Sequence, residues 1–118
     1  MSIHHEFRST DPKATARFLE DFFGWITSTW KNDVSEYLVF SDKKEDAAIF
    51  GDIDEFPSLP PDPTSVVYFE VTGLKTTLEK AQSAGAKIYR PYKDVGGDVK
   101  IAIITAPGGT HLGLWSKD

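Results

Sequence analysis

The chain has 118 residues, enough for one domain with its own core. Hydrophobic residues make up 40% and charged residues 26%, and the net charge of −5 comes without a basic run, which argues against nucleic acid or an anionic membrane surface as partner. With no cysteine, disulfides, thiolate metal sites and cysteine nucleophiles are excluded.

The first residues, MSIHHEFRST, lack the basic region and apolar stretch of a signal peptide. No apolar run approaches the ~18 residues of a membrane span, so a cytoplasmic protein is expected. Residues 3–9, IHHEFRS, read as a short strand. Thr10 or Asp11 can then cap a helix, and Pro12 suits its first turn. In KATARFLEDFFG, Ala14, Phe18 and Phe22 recur every four residues beside Leu19 and Phe23, an apolar helix face ended by Gly24. WITSTW (25–30) and SEYLVFS (35–41) read as strands across an Asn32-Asp33 turn. DKKED (42–46) turns the chain into a strand at AAIFGDI, 47–53. DEFPSLPPDPT (54–64) carries four prolines, and no helix or central strand survives that density.

Beyond this linker, SVVYFEV (65–71) is a strand. LKTTLEKAQSAG (74–85) is a helix with Leu74, Leu78 and Ala81 on one face. AKIYRPY (86–92) is a strand with Pro91 at an edge, KDVGGD (93–98) a turn and VKIAIIT (99–105) a strand. APGG (106–109) is a tight turn before the last strand, THLGLWS, 110–116. Each half thus reads strand, helix and three strands. HHEFRSTDPK (4–13) aligns without a gap with VVYFEVTGLK (66–75), a period near half the chain length.

This duplicated βαβββ pattern, with its early D-P-x-A-x-A-x-F-x-x-x-x-F-G-W and late A-P-G-G-T-x-x-x-L-W, resembles the vicinal oxygen chelate superfamily. That group contains glyoxalase I, extradiol dioxygenases, and fosfomycin and bleomycin resistance proteins. The likeness spans residues 1–118 as a single domain: one module at about 3–53, the linker at 54–64 and a second module at about 65–117. It implies an α+β fold in which two modules form a curled, open barrel-like sheet around a cavity, with the helices outside. Strand alternation then sends His5, Phe7 and Ser9 toward the helix, and His4, Glu6 and Arg8 toward the cavity. By the same rule Tyr68, Glu70, His111, Gly113 and Trp115 face the cavity, while Phe69, Leu112 and Leu114 face the helix. Trp30, Tyr37 and Phe40 are further candidates to line it.

Metal-dependent members of the superfamily place one ligand on each of the first, fourth, fifth and eighth strands. His4 matches the first position. The fourth falls at Ala48 or Ile49, the fifth at Val66 and the eighth at Gly113, none of which can ligate through its side chain. The usual chelate is therefore not expected. A divalent metal would need His4 with Glu6, Glu70 or His111 as substitute ligands. For His111 itself, surface placement is the simpler reading. The expected site is metal-free and holds a small molecule between His4, Glu6, Arg8, Tyr68, Glu70 and Trp115. Arg8 is suited to orient a carboxylate or to form an internal salt bridge. A small-molecule binding protein of the bleomycin resistance kind, a metal-dependent lyase or dioxygenase with a rearranged site, and a non-catalytic interaction domain all fit the residues, so enzyme status stays open. The resemblance also implies a homodimer.

Overall fold

A computed structural model describes residues 4–43 and 45–118. Ile3, at the start of the predicted first strand, and Lys44, in the predicted DKKED turn, lie outside them. The described residues form an α+β fold of two four-stranded mixed sheets, each with one helix. They fall into two compact units, one reaching to Leu59 and including Pro107–Thr110, the other comprising Pro60–Ala106 and His111–Asp118. No helix among them is long and apolar enough to cross a membrane.

The first unit contains β1 (His5–Ser9), α1 (Pro12–Phe23), β2 (Ile26–Lys31), β3 (Glu36–Ser41) and β4 (Phe50–Glu55). Its sheet runs β1-β4-β3-β2, with β1 parallel to β4. Asp11 caps α1 by accepting from the Ala14 amide at 3.2 Å, and Pro12 opens the first turn. The buried helix face is Thr15, Ala16, Phe18 and Leu19, so Ala14 and Phe22 lie at its margins rather than at its centre as predicted. Thr15 can be buried because its hydroxyl is satisfied, donating to the Pro107 carbonyl at 2.5 Å and pairing with Ser9 Oγ at 2.8 Å. Phe7, Phe40 and Ile53 meet this helix face from the sheet, with Phe7 and Phe40 stacked at 4.7 Å. Phe40, a predicted cavity residue, is thereby a core residue with 2% exposure.

β4 is displaced from its predicted position. It begins at Phe50 rather than Ala47 and runs two residues into the stretch read as linker. Its apolar run AAIF gave the wrong signal. The residues paired with β1 are Gly51 to Glu55, whose acidic side chains resemble a loop.

The second unit contains β5 (Tyr68–Glu70), α2 (Leu74–Ser83), β6 (Lys87–Gly96), β7 (Val99–Thr105) and β8 (His111–Ser116). The sheet order β5-β8-β7-β6 repeats that of the first unit, again with its outer parallel pair, here β5 and β8. Leu74, Leu78 and Ala81 of α2 pack in a core with Phe69, Ile104, Leu112 and Leu114. β6 is an edge strand, as Pro91 requires, and its register slips between Arg90 and Lys93. It continues through residues predicted as a turn, which narrows to Gly97-Asp98, both at positive φ as a two-residue hairpin demands.

Candidate functional site

The face of the first sheet turned away from α1 carries Glu6, Arg8, Asp52 and Asp54. Glu6 lies opposite Asp52, and Arg8 opposite Asp54, on the parallel pair β1–β4. In-register neighbours on parallel strands sit ~5 Å apart, so side chains on one face meet. His4 Nε2 is 2.5 Å from Asp52 Oδ1. One carboxylate oxygen from each of Glu6, Asp52 and Asp54 lies within 4.8 Å of the others. The close approach of Asp54 raises the Glu6 pKa above its ordinary 4.5, with burial and the charges of Asp54 and Asp52 adding to it. Burial raises Asp52 above its ordinary 3.8, against the lowering effect of the His4 hydrogen bond. Each of the two shifts has a neighbouring carboxylate among its causes.

Sequence reasoning found His4 and Glu6 but missed Asp52 and Asp54. The fourth-strand position opposite Glu6 is Asp52, where Ala48 or Ile49 had been expected. Placing β4 by its apolar letters hid the acidic pair. The repeat could have located it: Tyr68 pairs with Gly113 in the second unit as Glu6 pairs with Asp52 in the first.

Arg8 lays its guanidinium over the Phe56 ring, 4.5 Å from the centroid. Trp30 and Tyr37, cross-strand partners 5.8 Å apart, are exposed. A hollow of about 710 Å³ opens in this unit. Its lining includes Asp11, Lys13, Glu36, Tyr37, Asp54, Glu55 and Phe56, so Asp54 belongs to both the hollow and the carboxylate cluster.

Tyr68, Glu70, His111 and Trp115 belong to the second unit. Tyr68 and Glu70 are exposed, and Trp115 is half-buried with the Lys117 ammonium 5.8 Å from its ring. His111 is half-buried rather than on the surface, its Nδ1 3.0 Å from Thr105 Oγ1 and its ring 4.5 Å from Tyr89. Its place beside the APGG turn suggested exposure, but Thr105 on the neighbouring β7 and Tyr89 on β6 beyond it flank the ring. The Tyr68 ring lies across Gly113: a Cβ there would meet ring carbons at 2.6, 2.7 and 2.9 Å. A side chain at 113 therefore requires the Tyr68 ring to move. Gly113→Ala is expected to cost about 1 kcal/mol, because the ring is half-exposed and can swing aside. The cost should largely vanish in a Tyr68→Ala background, which a double-mutant cycle by urea unfolding measures.

Neither Val66 nor Gly113 offers a donor side chain, and the Tyr68 ring covers the second of these positions. The residues present do not fit the four-strand chelate that the resemblance describes.

No protein-family profile matches the sequence, and no curated protein matches it either. Solved structures do match its fold. A genomically encoded fosfomycin resistance protein, FosX, from Listeria monocytogenes superposes with a TM-score of 0.76 at 17% identity, covering 98% of this chain and 92% of that one. A glyoxalase I mutant from Zea mays gives 0.75 at 17% identity; this chain, 97% covered, spans 44% of its length. A glyoxalase/bleomycin resistance protein/dioxygenase from Nocardioides gives 0.64 at 15% identity, covering 98% of this chain and 82% of that one. The chain has the fold of the vicinal oxygen chelate superfamily.

Proposed function

We propose that this chain is a small-molecule binding protein whose ligand carries a positive charge, with no four-strand metal chelate. The observation behind this reading is the shared position of Asp54, at once on the wall of the hollow and in the carboxylate cluster. At about 710 Å³ the hollow is within the range of small-molecule sites. Asp11, Glu36, Asp54 and Glu55 outweigh Lys13 on its walls, and Tyr37 and Phe56 add aromatic surface. Carboxylates beside aromatic rings suit an organic ammonium ion.

A second reading is a divalent cation at Glu6, Asp52 and Asp54, with His4 beside them, as part of a metal-dependent enzyme. The mutual approach of three carboxylates favours it. Thermal unfolding of chelator-treated protein separates the readings, with spermidine as the organic probe and Mn²⁺ as the metal. Ligand at about 100 times its dissociation constant adds about 2.7 kcal/mol, a shift of several degrees at this size. On the first reading spermidine raises the midpoint, and Glu36→Gln with Asp54→Asn removes the effect while Glu6→Gln leaves most of it. On the second, Mn²⁺ raises it and Glu6→Gln or Asp52→Asn removes the effect. No shift with either probe would leave a non-catalytic interaction domain.

The direction of the pKa shifts makes a further demand. Glu6 and Asp52 are raised in the folded state, so their contribution to stability is full below their ordinary values and is lost as pH rises through the raised ones. A cation bound at this cluster displaces those protons. Its affinity should therefore increase with pH across that window, as calorimetry in two buffers of different ionisation enthalpy would record.

A further inference from the structure

β2 and β6 hold the same place in the duplicated fold, each at the outer edge of its sheet. An outer strand turns a row of amides and carbonyls to solvent, a template for another strand. β6 is protected against such pairing. Pro91 interrupts its donors, its register with β7 slips three times, and Lys87, Arg90 and Lys93 give it repelling charge. β2 has none of these devices. Its six residues, ITSTWK, pair with β3 in unbroken register, contain no proline and carry one charge, Lys31, at the end. Besides this ladder, no backbone hydrogen bond joins Ile26–Lys31 to any of the described residues. Every residue of the strand is exposed except Thr27, which is half-buried with its hydroxyl donating to Glu20 Oε1 of α1.

We propose that the outer edge of β2 takes up the β2 of a second copy of this chain, antiparallel and centred on Ser28, joining two first sheets into one of eight strands. Every second residue of an edge strand turns its N–H and C=O outward, and in an antiparallel ladder these residues must meet one another. Opposed residue numbers in a two-fold pair therefore add to an even sum. Centring on Ser28 satisfies this and pairs all of residues 26–30. Ile26 and Trp30 are 42% and 51% exposed. They share one face with Ser28, because Thr27 and Thr29 lie on the face of the core residue Phe40. In this register Ile26 meets the partner's Trp30, and Trp30 the partner's Ile26. Cross-strand pairs of an aromatic and a β-branched residue are stabilising, and each exposed apolar side chain is covered by the other. On the opposite face Thr27 meets the partner's Thr29, also twice. The two Lys31 ammonium groups fall at opposite ends, about 20 Å apart, so no like charges are opposed. The same operation on β6 would crowd its basic residues and call on the amide that Pro91 lacks.

Trp30 also stands beside Tyr37, ring centroids 5.8 Å apart, and Tyr37 lines the hollow, so the pairing steadies one wall of it. Five paired residues make a small contact, below the ~1,200 Å² of stable interfaces, and the dimer forms with rising concentration.

The test is sedimentation equilibrium of the full chain from about 10 µM to 1 mM, the range of a weak dimer. The mass is expected to climb from one chain toward two. Ser28→Lys sets two ammonium groups together on the axis at an exposed position, so this variant should stay at one chain throughout, with its thermal unfolding in dilute solution unchanged. The chain has no cysteine, which makes a single introduced thiol a direct reading of register. Across the axis the two Ser28 Cα atoms would be about 4.5–5.5 Å apart, within disulfide range, so Ser28→Cys should cross-link on mild oxidation. Thr29→Cys is equally exposed, but its thiols would sit on Cα atoms about 8 Å apart and should stay free. A single-chain mass at the highest concentration would overturn the proposal and leave the edge to some other extended peptide. A dimer that survives Ser28→Lys would overturn it as well, as would Thr29→Cys cross-linking as readily as Ser28→Cys.

Discussion

Gly51→Ala is expected to be the most destabilising single substitution in the chain. A Cβ at position 51 would lie 1.9 Å from the His5 carbonyl oxygen, 2.8 Å from its carbon and 2.9 Å from the Phe40 ring. The first two are backbone atoms of the neighbouring strand, paired with Gly51 in register. They cannot turn away as a side chain can. Relief requires β1 to separate from β4, and that pair is what sets Glu6 beside Asp52. The cost belongs with the exceptional single substitutions, about 4 kcal/mol or more, against a total stability of about 5–15 kcal/mol for a domain. Urea unfolding at 25 °C, followed by circular dichroism, should show a midpoint far below that of the unsubstituted chain. A native-like midpoint would mean that β1 and β4 are not held in this register.

The same glycine shows why the sequence was partly opaque. Helices and most strands were legible because their apolar residues recur at the right period: Phe18 and Leu19 in α1, Leu74, Leu78 and Ala81 in α2, Phe7 and Phe69 in the opening strands are all buried. β4 was not. Gly51, Asp52, Asp54 and Glu55 carry no strand signal, and the strand is fixed by β1 on one side and β3 on the other. Tertiary pairing overrode local preference. The site inherited the error, since a strand starting three residues too early offers Ala48 or Ile49 where Asp52 stands. His4 and Glu6 were found because the first strand alternates cleanly. The His111 surroundings were illegible for another reason. Its partners Thr105 and Tyr89 come from separate strands, and no spacing in the chain announces that they meet.

Gly108→Ala should be the second most damaging substitution, with a cost of about 3 kcal/mol. Two effects add: a left-handed conformation that alanine resists, and overpacking, each about 1–3 kcal/mol. Gly108 has φ of 95°, and its added Cβ would lie 2.1 Å from Ser9 Oγ and 2.4 Å from Thr15 Oγ1. Both hydroxyls are buried and already committed, Ser9 to Thr15 and to the Asp11 amide, Thr15 to the Pro107 carbonyl. Moving them would unseat the start of α1 along with the turn. Gly109 provides the control. Its φ of 89° is equally unfavourable for alanine, but its Cβ would meet only Leu59 Cδ1, at 3.1 Å, a side-chain end that can yield. Gly109→Ala should therefore carry the conformational cost alone. Thermal unfolding is expected to show a drop of about 10 °C for Gly108→Ala and clearly less for Gly109→Ala. Equal drops would mean that backbone strain sets both costs and that the Ser9–Thr15 network gives way freely. A larger loss at 108 would show that this network, and with it the seating of α1 beside the strand that carries Glu6, depends on a turn about a hundred residues further along the chain.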